Sequence, residues 1–221
     1  MGEGSLDAGK VNWDSQFTIV DKNGGSFHSY HDGVEGHPFF MEGFKSSMIK
    51  LTSGEEFSIS ARLDLYKQMV QIKLNGDTAK YILPGNISEI VFYDTIQGKP
   101  VSYKFQAGYS AVDNLTKNTF YQILSNGKAE LLKSSVKKIN KLKNDMTGEM
   151  SSQFDNYEDH YLYVKYEMKR LKKDKDFILD LLSDKRKELE TYITDQKINF
   201  KSIESIKKLI DYYNSLADTK F

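Results

Sequence analysis

From Phe57 to Leu65 the chain alternates without a break: Phe57, Ile59, Ala61, Leu63 and Leu65 are apolar, and Ser58, Ser60, Arg62 and Asp64 are polar. Successive side chains leave a β-strand on opposite sides, so a period of two predicts a strand with one face on a core and one in water. The habit recurs. Short strands are predicted at Phe17 to Val20, Met48 to Leu51, Val70 to Leu74, Tyr81 to Leu83, Ile87 to Tyr93, Val101 to Phe105, Phe120 to Leu124 and Ala129 to Leu132, and a last one at Tyr161 to Met168. Turn chemistry separates them: Asp21 to Gly25, Thr52-Ser53-Gly54-Glu55, Asn75-Gly76, Pro84-Gly85-Asn86, Gln97-Gly98-Lys99-Pro100 and Asn126-Gly127. Short loops between sequential strands imply an antiparallel meander, curled into a partial barrel or folded as a sandwich.

The period changes after Lys172-Lys173. Phe177, Ile178, Leu181 and Leu182 fall on one helical face, with Asp174 or Asp176 placed to cap it. Ser183 is placed to cap a second helix carrying Leu189, Tyr192 and Ile193. Ser202 is placed to cap a third, with a stripe of Ile203, Ile206, Leu209, Ile210, Tyr213 and Leu216. Helices this short are marginal alone, so the stripe must bury against the sheet or against its neighbours.

These readings give an α+β, mainly β fold: a flexible arm over 1–15, an antiparallel β domain over 16–172 and a helical tail of two to three short helices over 173–221. The lysine- and asparagine-rich stretch 133–157 has no clear period and is expected to be a polar surface excursion of the β domain. Trp13 is the one large side chain able to dock the arm.

Composition narrows the function classes. The 221 residues hold 31 basic and 31 acidic side chains, a balance that argues against a nucleic-acid binder relying on bulk attraction to phosphates. The lysines of the tail are interspersed with acids, as on a solvated helical surface. With no cysteine, disulfides, thiolate nucleophiles and cysteine-ligated metals are excluded. No apolar run approaches the roughly 20 residues that span a bilayer.

Candidate chemistry is sparse. His28, His31 and His37 lie close together beside Asp32, a set of residue types able to ligate a borderline metal, so a metal-dependent hydrolase built on those three histidines is the alternative to a non-enzymatic protein. No Gly-rich phosphate loop, Gly-x-Ser-x-Gly elbow or His-Glu-x-x-His helix occurs, and no catalytic residue or cofactor is assigned. Strand tyrosines, among them Tyr66, Tyr81, Tyr93, Tyr103, Tyr109, Tyr121, Tyr161, Tyr163 and Tyr166, could stack on a sugar, but they serve equally as cross-strand pairs that stabilise a sheet.

At Met48 to Gly54 with the Arg62 to Leu65 strand, at Leu182 to Leu189, and at Ile203 through Asp211-Tyr212-Tyr213-Asn214, the chain resembles a group of uncharacterised exported β-meander proteins of Bacteroidetes bacteria. The resemblance implies a periplasmic or cell-surface location with a leader peptide removed before Glu3; the alternative is cytoplasmic. It transfers no active-site residues. The expectation is therefore a binding or accessory module of the cell envelope, with an envelope protein, a lipid or a glycan as partner.

Overall fold

The computed structural model describes residues 33–74, 79–83, 85–143 and 146–216. The expected arm, Trp13, the Phe17 strand, the turn at Asp21, the Asn75-Gly76 turn, Pro84, His28 and His31 lie outside the described residues. Strands take 49% of the described residues and helices 19%, so the protein is mainly β. The strands are β1 (Val34–Glu35), β2 (Lys45–Leu51), β3 (Glu56–Asp64), β4 (Met69–Lys73), β5 (Ala79–Tyr81), β6 (Ile87–Ile96), β7 (Lys99–Gln106), β8 (Tyr121–Ser125), β9 (Ala129–Lys143), β10 (Met150–Val164) and β11 (Glu167–Arg170). They belong to a large mixed sheet that does not close on itself, and α1 (Lys175–Leu181), α2 (Arg186–Asp195) and α3 (Ile203–Ser215) follow.

The chain divides into two compact units. The first holds β1 to β7, residues 117–120, and the adjoining parts of β9 and β10 from 135 to 158. Its strand order runs β7-β6-β2-β3-β4-β5, antiparallel throughout. One step departs from a sequential meander: β6 pairs with β2, not with β5. The three-residue β5 offers few ladder bonds to a ten-residue strand, whereas the seven-residue β2 has a free edge. The alternation at Phe57 is realised, because Phe57, Ala61 and Leu63 are fully buried in a core with Ile49, Leu51, Ile72, Ile90, Phe92 and Phe105. Each of these side chains except Ala61 contributes about 1.5–3 kcal/mol of transfer free energy. The β6–β7 hairpin closes through Gln97-Gly98, both at positive φ, between the paired Ile96 and Lys99.

The stretch 133–157, expected as a polar excursion, is strand over most of its length: β9 continues to Lys143 and β10 starts at Met150. Two paired strands satisfy each other's backbone groups, so neither needs an apolar face, and the period of two that marks a half-buried strand is missing. The parallel pairing of β1 with Ser152 and Gln153 makes the sheet mixed.

The second unit holds residues 109–116, 121–134 and 159–221, so the helices share a body with β8, β11 and the remaining parts of β9 and β10. Asp174 caps α1 by accepting from the Phe177 N–H (2.8 Å), and Ser202 caps α3 by accepting from the Ser205 N–H (3.3 Å). Ile206, Leu209, Ile210 and Tyr213 of α3 bury against Ala129 and Leu131 of β9 and Leu162 and Val164 of β10. Ser183 makes no cap bond. It opens a short 3-10 turn, and α2 begins only at Arg186, whose guanidinium reaches Asp180 and Glu190.

The segment expected as one strand over Tyr161 to Met168 is a hairpin. β10 turns at Lys165-Tyr166, both at positive φ (51° and 65°), and Val164 pairs with Glu167. Such a turn ordinarily carries Asn or Gly, so nothing in Lys-Tyr announces it. The terminal Tyr-Tyr-Asn is a joint: Tyr212 stacks on Tyr192, the Tyr213 hydroxyl donates to Asp184, and Asn214 bonds the backbone of the Asn126-Gly127 turn. Asn214 also accepts from Ala129 N–H and donates to its carbonyl (2.9 and 2.8 Å). A Cβ on Gly127 would lie 2.5 Å from the Asn214 Cγ, so this turn needs glycine.

Candidate functional site

Of the three candidate metal histidines, only His37 lies in the described structure. It precedes the segment that runs beside β3, where Leu65 N–H donates to the Pro38 carbonyl. The His37 Nδ1 accepts from the Phe39 N–H (3.2 Å) and lies 3.5 Å from the Lys137 ammonium, which donates to the His37 carbonyl (2.6 Å). Two donors on Nδ1 make this ring the neutral Nε2–H tautomer, leaving only Nε2 for any further partner. Burial, reinforced by Lys137, lowers its pKa below the usual imidazole value, and burial lowers that of Lys137. Among the described residues no group of three or more His, Cys, Asp or Glu side chains is placed to hold a metal ion.

Around this pair lies a polar centre that sequence patterning missed. Asp64, the last residue of β3 and read from alternation as facing water, is fully buried. Its Oδ1 accepts from the Tyr66 and Lys67 N–H groups (2.9 and 2.8 Å), and its Oδ2 from the Tyr81 hydroxyl (2.7 Å). Burial and the adjacent Asp64 hold the Tyr81 pKa far above the usual phenol value, so the donor keeps its proton. Gln68, at φ 53°, donates to the Leu65 and Ser135 carbonyls (3.0 Å each) and accepts from the Phe120 N–H (3.2 Å). The Lys137 N–H donates to the Leu65 carbonyl (3.1 Å). The Arg62 guanidinium lies over the rings of Phe39 (3.6 Å) and Phe44 (4.5 Å) and donates to Gln71 and the Glu42 carbonyl. These bonds tie the base of the β9–β10 hairpin to the β3–β4 turn. In this arrangement the Asp64 carboxyl and the His37 Nδ1 accept from the protein's own donors.

The strand tyrosines part company. In the second unit Tyr109, Tyr121, Tyr161 and Tyr163 join edge to face: Tyr109 lies 5.5 Å from Tyr121 and 5.0 Å from Tyr163, and Tyr121 lies 5.6 Å from Tyr161. Three of the four are buried, so their ring faces are spent on one another. Tyr161 donates to Asp113 (3.0 Å) and Tyr109 to Glu130 (2.7 Å). The buried Tyr121 hydroxyl has no hydrogen-bond partner among the described residues, and burial together with Asp113 pushes its pKa up to about 12. Arg170 pairs with Asp159 and lies 3.7 Å from Asp113. In the first unit Tyr81 serves Asp64 and Tyr103 packs on Phe40, while Tyr66 and Tyr93 are exposed; Tyr166 is exposed at its own turn in the second unit.

The remaining feature is the far end of the β9–β10 hairpin. Met146 is 96% exposed, Met150 63% and Leu142 45%, values that set these three apart from the buried apolar residues of both cores. Every described residue from 141 to 151 is exposed. Asn140 donates to Asp155 (2.5 Å) and to the Tyr157 hydroxyl (2.7 Å), so these side chains share a face. By strand alternation Lys138 and Leu142 lie on that face, and Lys141, Lys143 and Met150 on the other. The hairpin end therefore carries an apolar side chain on each face. Patterning could have found it, since Leu142, Met146 and Met150 stand among polar neighbours, but an excursion with no assigned strands gives them no common position.

Comparison of the chain with protein-family models, with curated proteins and with solved structures gave no significant match to any of them. No helix among the described residues is long and apolar enough to cross a membrane.

Proposed function

We propose that the protein is a non-enzymatic binding or accessory module of the bacterial cell envelope, periplasmic or at the cell surface, that meets its partner through the end of the β9–β10 hairpin. The observation that carries this reading is the exposure of Leu142, Met146 and Met150 at the end of that hairpin. Apolar side chains held in water gain free energy when a partner covers them, and the polar centre at the hairpin's base keeps that end in one place. Assignment to the envelope rests on the resemblance of the chain to exported bacterial proteins.

A photo-crosslinker on a single cysteine tests the reading, because the chain has no other thiol. With Met146→Cys and Ser53→Cys proteins expressed in cells carrying the native gene, irradiation should give an envelope-fraction adduct at 146 and none at 53. Adducts at neither position, or a protein found wholly in the soluble cytoplasmic fraction, would overturn it.

A further inference from the structure

We infer that Arg62 is the binding site for a monocarboxylate with an apolar or aromatic body, held by the Nη1 and Nη2 edge of the guanidinium. The site is separate from the hairpin end and goes beyond the contact role proposed for it. The chain has three arginines. Arg170 pairs with Asp159, and Arg186 reaches Asp176, Asp180 and Glu190. Arg62 makes no ion pair among the described residues. In a chain whose positive charge is otherwise carried by lysine, a guanidinium stands where a rigid, planar fork is needed, and two of the three forks hold carboxylates of the chain itself.

The donors of Arg62 are only partly used. A guanidinium has five N–H groups. The Nε–H donates to the Gln71 Oε1 (2.8 Å) and Nη1 donates to the Glu42 carbonyl (3.2 Å), both neutral acceptors. The second Nη1 donor and those of Nη2 lie along the end of the group, with the spacing of the two oxygens of a carboxylate. The fork is held in place: Gln71 is buried and pairs with Arg62 in the β3–β4 ladder, and the guanidinium lies over the buried Phe39 ring (3.6 Å) and the Phe44 ring (4.5 Å). The same two rings give the site an apolar wall.

Charge favours a singly charged anion. Part-burying a cation without a counterion is costly, and burial lowers the Arg62 pKa from the ordinary guanidinium value, with Asp64 opposing. Asp64 lies beyond ion-pair reach, and its oxygens accept from Tyr66, Lys67 and Tyr81. Lys67, with its ammonium over the Tyr81 ring (4.7 Å), and Lys137 add positive charge around the same Asp64. Three cations thus stand against the carboxylates of Asp64 and Glu42, which attracts an anion, while those two carboxylates disfavour a phosphate dianion.

The test is a titration of the nitrogen-15-labelled full chain with benzoate, N-acetyl-phenylalanine, benzamide and inorganic phosphate at neutral pH. The Arg62 Nε–H signal is assigned by its loss in Arg62→Lys. We expect both carboxylates to shift that signal, saturating at millimolar concentration, benzamide to leave it unmoved, and phosphate to bind about tenfold more weakly than benzoate. Tighter binding of benzoate marks a free acid as the natural ligand, and tighter binding of N-acetyl-phenylalanine a chain terminus; either supports the site. Arg62→Lys keeps the charge without the fork and should weaken benzoate by about tenfold or more, measured by calorimetry. If that variant does not fold, Phe44→Ala, which removes one wall, should weaken it severalfold. No shift at Arg62 with either carboxylate, an equal shift with benzamide, phosphate binding as tightly as benzoate, or benzoate affinity unchanged in the folded variant would overturn the inference. Crosslinking at Met146→Cys reads the hairpin end alone, so the two proposals fail separately.

Discussion

The base and the end of the β9–β10 hairpin use opposite physics. At the base, polar groups are buried and matched: Asp64 takes three donors, Gln68 makes three bonds, and Lys137 reaches two carbonyls and a ring nitrogen. At the end, apolar groups are exposed. Burying a polar group is costly unless it is bonded, and exposing an apolar one is costly unless something later covers it. The comparison teaches that the chemically suggestive residues here hold the fold, while the plain ones, a leucine and two methionines, face outward.

The base can be broken first. Asp64→Ala would remove the acceptor shared by the Tyr66 and Lys67 N–H groups and the Tyr81 hydroxyl, and should lower unfolding free energy by about 3 kcal/mol in denaturant titration. Asp64→Asn, which keeps an acceptor, should recover part of that. Gln68→Ala should cost about 2 kcal/mol, since three bonds are lost while a non-glycine residue stays at positive φ.

The pH dependence is smaller. The folded state holds His37 neutral with its pKa below the usual 6.5, so the folded protein binds fewer protons here than the unfolded chain. This contribution is fully present above pH about 6.5 and is lost as pH falls through the folded-state pKa. Melts of His37→Gln should therefore decline less between neutral and mildly acidic pH than those of the parent. The smallest effect belongs to the end: Leu142→Ser/Met146→Ser/Met150→Ser should shift unfolding free energy by less than about 0.5 kcal/mol, as exposed positions do.

What could be read from the sequence follows from where each signal resides. The Phe57 strand, the β-rich body and the helices capped by Asp174 and Ser202 are local patterns, and the structure contains them. Three features are not local. Asp64 is polar by type and buried because Tyr81, far along the chain, bonds it. The outer parts of β9 and β10 are strands because they pair with each other, with solvated side chains that leave no period of two. Lys165-Tyr166 turns without glycine, at a cost of about 1–2 kcal/mol per residue that the flanking pairs outweigh. The histidine cluster was visible only as spacing, and the structure describes His37 alone of its members, bound to Phe39 and Lys137. The exposed end went unread because its three apolar residues come to one end of the sheet only once the hairpin is formed.

The difference between base and end is tested most directly by an environment-sensitive fluorophore on Met146→Cys, with Ser53→Cys at another exposed turn as reference, on addition of the cell-envelope fraction. The account predicts a blue shift and a rise in intensity at 146 and no change at 53. No change at 146, or an equal change at both positions, would contradict it.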